Sequence, residues 1–128
     1  MRALIIVFFV VIGLVPAQSF QTAEKEDYVF RNVMVTGEDG KYVVTGEART
    51  KGGEFFYIVE DGHNELVKEK RKRIGSKYPK WSRFTIHITI PKKDIPQNGT
   101  VTLYLFEKTG NGEMIHTYPV ILEQSTNN

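Results

Sequence analysis

A short basic stretch, residues 68–83, holds the side chains best suited to binding chemistry. A large share of the 17 lysines and arginines of the chain lie here, and Glu69 is the one carboxylate among them. Tyr78 and Trp81 lie in the same stretch, and cations beside flat aromatic faces can bind phosphate-rich polymers, anionic lipid headgroups or sugars. The predicted binding residues are Lys68, Lys70, Arg71, Lys72, Arg73, Lys77, Tyr78, Lys80, Trp81 and Arg83.

The rest of the chain has the opposite charge balance. The formal net charge is +2, with 15 aspartates and glutamates, so a concentrated basic stretch leaves the remainder acidic. One cation near an anionic lipid surface contributes about 1 kcal/mol, and about six would give reversible binding that salt weakens. The folded domain is therefore predicted to be electrically bipolar, with binding on its basic side.

Two structural explanations of the basic stretch stay open. Charge runs are usually solvated loops, and lysines are common on exposed edge strands, where they oppose pairing with other chains. Trp81 is also a candidate for the core tryptophan of a β-sandwich, with Phe84 beside it. The residue pattern is compatible with these explanations as well as with a binding surface.

No other residue pattern indicates chemistry. His63, His87 and His116 are isolated and match no metal-ligand spacing. A site formed by His87 and His116 would need their two strands to be adjacent. The chain has no nucleophile-elbow pattern and no glycine-rich phosphate loop, and its carboxylates are scattered. We therefore predict no enzymatic activity, no metal and no cofactor.

The elements that must position these residues are β-strands. Apolar and polar residues alternate most regularly in residues 83–91, which is typical of a strand with one face buried. Glycine, proline, Asp-Gly and Asn-Gly signals separate this run from its neighbours. The predicted strands cover residues 28–36, 42–48, 54–60, 65–73, 83–91, 100–107 and 113–123.

Three features refine this prediction. The run 65–73 fits a strand or a helix, and its place between strands favours a strand. Gly46 inside the second strand indicates a bulge or a close backbone approach, and Pro119 in the last strand indicates an edge or a break because proline cannot donate a ladder hydrogen bond. Seven short strands predict an all-β, immunoglobulin-like antiparallel β-sandwich, with a barrel as the main alternative.

The start of the chain has the pattern of a secretory signal peptide. Met1-Arg2 is followed by an apolar run, residues 3–15, and then by Pro16-Ala17 at a favoured cleavage position. The run is shorter than the roughly 18–20 residues that span a bilayer, which favours a cleaved signal over a membrane anchor or a buried helix. The predicted organisation is a signal peptide at 1–17, a flexible lead-in at 18–27, the sandwich at 28–123 and a tail at 124–128.

The chain contains no cysteine. A disulfide, a lipid-modified cysteine and a thiolate metal site are therefore excluded. Small extracellular animal domains are usually rich in disulfides, so an exported domain without cysteine fits a bacterial envelope better. The predicted location is secreted or extracytoplasmic, with a membrane tether if the signal is not cleaved. Export argues against a nucleic acid as the partner of the basic stretch.

The strand series resembles the immunoglobulin-like domain family of bacterial sporulation and spore-germination proteins. The resemblance covers about residues 28–123. It implies an exported, non-catalytic binding or structural module of a Gram-positive-like envelope, related to sporulation. The residues that carry it are 44–48 (VTGEA), 54–62 (EFFYIVEDG), Trp81 with Phe84, 99–107 and 114–122.

The leading functional prediction is an exported module that binds an envelope component or a protein partner. The envelope component would be an anionic polymer or a lipid surface, the latter by peripheral association with the membrane. The alternative is a secreted protease inhibitor that acts through surface loops at residues 91–99 and 109–112. A third hypothesis is sheet-edge association of several copies, which leaves the oligomeric state open.

Overall fold

The computed structural model of the protein describes residues 29–125. The predicted signal peptide and lead-in, and residues 126–128, lie outside this range. No helix within 29–125 is long and apolar enough to span a membrane. A short 3₁₀ turn, Lys92–Asp94, is followed by the last two strands. The strands are β1 (Phe30–Glu38), β2 (Lys41–Ala48), β3 (Glu54–Glu60), β4 (Glu65–Arg73), β5 (Ser82–Thr89), β6 (Gly99–Lys108) and β7 (Met114–Ser125).

The strands form two antiparallel sheets. One has the order β1-β2-β5 and the other the order β4-β3-β6-β7, and residues of both contribute to one core. This is a seven-strand immunoglobulin-type arrangement in which the fourth strand lies beside the third instead of extending the smaller sheet. The predicted all-β, immunoglobulin-like sandwich is confirmed.

The alternation of β5 shows why this sequence forms a sandwich. Buried and exposed residues alternate along its whole length, so Phe84, Ile86 and Ile88 all join the core. The larger sheet supplies the opposing layer, which includes Phe55 and Leu103. Because apolar burial contributes roughly 25 cal/mol per Å², this inter-sheet core is the main source of stability in a domain without disulfides.

The structure of β4 and β7 answers two questions that the residue pattern left open: whether residues 65–73 form a strand or a helix, and where Pro119 lies. Residues 65–73 form the strand β4 and pair with β3. β7 is an edge strand, as Pro119 predicts, and its pairing with β6 has two register shifts. β7 also continues to Ser125, beyond the end predicted for the sandwich at residue 123.

Gly46 lies where β2 closely approaches the aromatic core, as predicted. A Cβ atom there would lie 2.8 Å from Cζ of Phe84 and 3.1 Å from Cγ2 of Val33. The ring of Phe84 in turn packs edge-to-face against the ring of Phe55, with 5.0 Å between ring centroids. Neither neighbour can move without disturbing the core.

We expect Gly46→Ala to lower the free energy of unfolding by about 1–3 kcal/mol, the usual cost of overpacking. Urea unfolding followed by tryptophan fluorescence measures the change. Gly110→Ala is the matched control, because nothing lies within 4 Å of the Cβ position there. Equal urea midpoints for the two variants would contradict the close approach at Gly46.

Candidate functional site

β4 presents its cations along an exposed edge of the larger sheet. Lys70 and Lys72 pair with Tyr57 and Phe55, whereas Arg71 and Arg73 pair with outward-facing residues of β3. Cations therefore occupy both sides of the strand, and those on one side recur every second residue, about 6.6–6.8 Å apart. The cations lie in the last six of its nine residues, so this charged edge extends for about 20 Å.

Two backbone hydrogen bonds join the connection between β4 and β5 to the loop after β2. The Ile74 N–H donates to the Gly53 carbonyl at 3.0 Å, and the Tyr78 N–H donates to the Thr50 carbonyl at 2.8 Å. Thr50 is 1% exposed, and its Oγ1 accepts the Glu54 N–H at 2.9 Å. These bonds place Lys51, which lies between Thr50 and Gly53, at the same end of the sandwich as residues 74–81.

We call the cations of this region the basic surface. Few carboxylates neutralise it. Among residues 29–125, Glu54 lies 3.8 Å from Arg71, and Glu69 forms an ion pair with Lys108 of β6. The basic surface is therefore left with a net positive charge. Its members are Lys51, Lys68, Lys70, Arg71, Lys72, Arg73, Lys77 and Lys80.

The opposite end of the sandwich is acidic. The β1–β2 turn, the β3–β4 turn and the β5–β6 connection meet there, as the pairing of the strands requires. Its carboxylates are Glu38, Asp39, Glu60, Asp61, Glu65, Asp94 and Glu123, and its lysines are Lys41, Lys92 and Lys93. The charge asymmetry of the sequence thus becomes an asymmetry along the long axis of the fold.

Trp81 is half-buried and lies outside the core, so its interpretation as a core tryptophan is wrong. Two guanidinium groups stack on its ring: Arg31 at 4.0 Å and Arg49 at 4.4 Å from the ring centroid. Arg49 also lies 5.1 Å from the ring of Tyr78. Both arginines lie outside the basic stretch, so the charge pattern of the sequence does not identify them.

Glu47 organises the face beside Trp81. Its Oε1 accepts hydrogen bonds from Nε of Arg31 and from Nδ2 of Asn32, both at 2.8 Å. The bonds from Arg31 and then from Asn32 lower the pKa of the Glu47 carboxyl. Asn32 has a positive φ of 54°, at the point where the β1–β2 register shifts. This bulge brings the amide of Asn32 to Glu47.

The ten predicted binding residues do not form one patch. Lys68, Lys70, Arg71, Lys72 and Arg73 lie on β4 in the larger sheet. Lys77, Tyr78 and Lys80 lie in the connection, Trp81 lies directly before β5, and Arg83 lies on β5 in the smaller sheet. The stretch is continuous in sequence, but it crosses from one sheet to the other.

The three histidines do not come together. β5 carries His87 and β7 carries His116, and these strands belong to different sheets. His116 Nδ1 lies 2.7 Å from Oε2 of Glu107. The backbone N–H of His63 donates to Oδ1 of Asp61 at 2.8 Å in the β3–β4 turn. No group of metal-ligating side chains occurs within the described range.

The comparisons with known proteins give one finding. Residues 21–112 match the family described as the immunoglobulin-like domain of bacterial spore germination, and the match ends before β7. This is the family predicted from the residues, and the prediction is confirmed. Searches of the curated proteins and of the solved structures gave no significant match.

Proposed function

The chain belongs to the family of immunoglobulin-like domains of bacterial spore germination, and we propose that it is a non-enzymatic module that binds an anionic polymer of the bacterial envelope. Family membership makes it a module related to sporulation and germination. We infer export from the apolar run at residues 3–15, and the polymer from the basic surface. The alternative of a protease inhibitor stays a prediction from the loops alone.

The observation that carries this proposal is the linear series of cations on β4. A compact ligand would use one or two of them, whereas an extended chain with an anionic group on every repeat can contact the series along its length. Because β4 is exposed, its cations keep their hydration, and each contact is weak and sensitive to salt. Affinity then depends on the number of contacts that form together.

The acidic end of the sandwich supports the same proposal. A polyanion is repelled from the end that carries Asp39, Asp61 and Glu65, and it is attracted to the opposite end. Such a charge separation orients the domain as it approaches a charged surface and raises the rate of encounter. The basic end, which carries Arg73, Lys77 and Lys80, would therefore meet the polymer first, and the exposed edge of β4 would then contact it along its length.

We expect neutralisation of Lys68, Lys70 and Arg73 of β4 by glutamine to weaken binding of inorganic polyphosphate about 100-fold, at about 1 kcal/mol for each cation. All three side chains are exposed, so the fold should be unaffected. Fluorescence anisotropy of labelled polyphosphate, measured with the purified protein at several salt concentrations, gives the affinity and its salt dependence.

The matched control neutralises Lys41, Lys92 and Lys93, which are also exposed but lie at the acidic end. It removes the same net charge and should change the affinity less than about threefold. Equal weakening by the two triple variants, or failure of the native protein to bind at low salt, would overturn the proposal. Binding to vesicles of phosphatidylcholine with phosphatidylglycerol, but not to polyphosphate, would identify a lipid surface instead.

A further inference from the structure

A groove lies on the outer face of the smaller sheet, where β2 pairs with β5. It has a volume of about 490 Å³, which is in the range of sites for small organic ligands. The register shift at Asn32 interrupts the β1–β2 ladder here and leaves Gly46 without a paired residue in β1. The groove is lined by Asn32, Thr45, Gly46, Glu47, Arg83, Phe84 and Thr85.

Four polar side chains of the groove belong to two pairs of the β2–β5 ladder that are neighbours on the outer face, with the pair Gly46 and Phe84 between them. Glu47 pairs with Arg83, and Thr45 pairs with Thr85. Directly paired residues on one face of an antiparallel sheet bring their side chains close together. The groove therefore offers one carboxylate, one guanidinium and two hydroxyl groups within a short distance.

The carboxylate of Glu47 determines which anions fit. Arg31 and Asn32 both donate to its Oε1, and no residue of the range 29–125 donates to Oε2, which can accept a hydrogen bond from a ligand. A plain polyphosphate has no donor for it and would be repelled by its charge. A ligand with hydroxyl groups can donate to Glu47 and to the threonines while an acidic group pairs with Arg83, whose planar fork suits phosphate and carboxylate.

The surroundings exclude two other kinds of ligand. A free cation would meet Arg31 and Arg83 beside the single carboxylate. A sugar that binds by stacking would need an open aromatic face, but the Trp81 ring is stacked by Arg31 and Arg49. Recognition in the groove must therefore come from hydrogen bonds to hydroxyl groups and from one ionic contact.

We propose that this groove binds a hydroxylated repeat unit of the anionic polymer, which deepens the proposed function and rests on it. The chemistry required is a hydroxyl group close to a phosphate or a carboxylate. A polyol phosphate and a sugar acid both provide it. The basic surface supplies affinity for negative charge, and the groove selects repeats that carry hydroxyl groups.

The test compares three probes of equal charge: inorganic polyphosphate, poly(ribitol phosphate) and an oligogalacturonate. We expect the protein to bind at least one hydroxylated probe about tenfold more tightly than polyphosphate, as one or two additional hydrogen bonds would allow. The tighter of the two hydroxylated probes identifies the acidic group. Thr85→Val and Glu47→Gln should each abolish the preference and leave polyphosphate affinity at or above the native value.

Thr89→Val is the matched control. Thr89 lies on the same strand and the same exposed face as Thr85, but outside the groove, so this variant should keep the preference. Equal affinity of the native protein for all three probes would overturn the groove proposal and leave the polyanion proposal standing. Loss of the preference in Thr89→Val would also overturn it. Failure to bind any of the probes would overturn the polyanion proposal itself.

Discussion

Phe55→Ala should lower the free energy of unfolding by about 3–5 kcal/mol, and Phe56→Ala by about 1–2 kcal/mol. The two phenylalanines are adjacent in β3 and point to opposite faces of the sheet. Phe55 is fully buried, and its ring meets those of Phe30 at 5.1 Å and Phe84 at 5.0 Å. Its removal leaves a cavity between the sheets that three strands border.

Phe56 has a different environment. It faces outward and is partly exposed. Its ring stacks on Phe106 at 6.0 Å, and Nζ of Lys108 lies 4.9 Å from its centroid. Solvent can occupy the space that the ring leaves, so the cost is mainly the lost burial and stacking.

Urea unfolding, followed by tryptophan fluorescence and far-ultraviolet circular dichroism, measures both variants. Small domains are stable by only about 5–15 kcal/mol, so Phe55→Ala can be too unstable to study. Phe55→Leu is then the variant of choice and should still cost more than Phe56→Leu. An equal or reversed order would mean that the inner and outer faces of β3 are assigned wrongly.

The inner and outer faces of β5 could be predicted from the sequence, because alternation is a local property of a strand. The two faces of β3 do not differ in this way, because Phe55, Phe56, Tyr57 and Ile58 form an unbroken apolar run. In that case the assignment depends on which neighbours pair with the strand. A run that is apolar on both sides has no local signal for its inner face.

Less of the candidate site than of the fold could be predicted from local sequence patterns. The basic stretch was predictable as a charge pattern, and its strand β4 was predictable from its place in the series. The stacking of Arg31 and Arg49 on Trp81 was not predictable, because it brings together β1, the end of β2 and the start of β5. Glu47 and Asn32 also meet only through the bulge in β1. Contacts between residues far apart in sequence depend on sheet order, which alternation does not reveal.

Between pH 9 and pH 12 the domain should lose about 2–3 kcal/mol of stability through a single tyrosine, Tyr42. Tyr42 is 2% exposed. Its hydroxyl donates to Oε1 of Glu123 and accepts the Gly40 N–H at 3.0 Å. The Asp39 N–H donates to the same Oε1 at 3.2 Å. This network ties the end of β7 to the β1–β2 turn.

Burial, followed by the hydrogen bond to Glu123, raises the pKa of Tyr42 from 10.0 to about 12. The folded protein therefore keeps the phenolic proton to a higher pH than the unfolded chain does. The stabilisation is complete below pH 10 and decreases as the pH rises towards 12. By pH 11 about 1.4 kcal/mol should be lost.

Tyr42→Phe separates this tyrosine from the other groups that titrate in the alkaline range. The variant should be about 1–2 kcal/mol less stable at pH 7, because the buried Gly40 N–H loses its acceptor and Glu123 loses a donor. It should also lose most of the additional decline between pH 9 and pH 11, since phenylalanine has no proton to release. Urea titrations at both pH values measure the two effects.

Tyr57→Phe is the comparison variant, since burial also raises the pKa of Tyr57. Tyr57 has no part in the network around Glu123, so its replacement should leave the contribution of Tyr42 in place. A Tyr42→Phe protein that declines as steeply as the native one would assign the alkaline loss to other groups. A steep decline in Tyr57→Phe together with a shallow one in Tyr42→Phe would assign the alkaline loss to the contact between β7 and the β1–β2 turn, because there the ionised phenolate would face the half-buried carboxylate of Glu123.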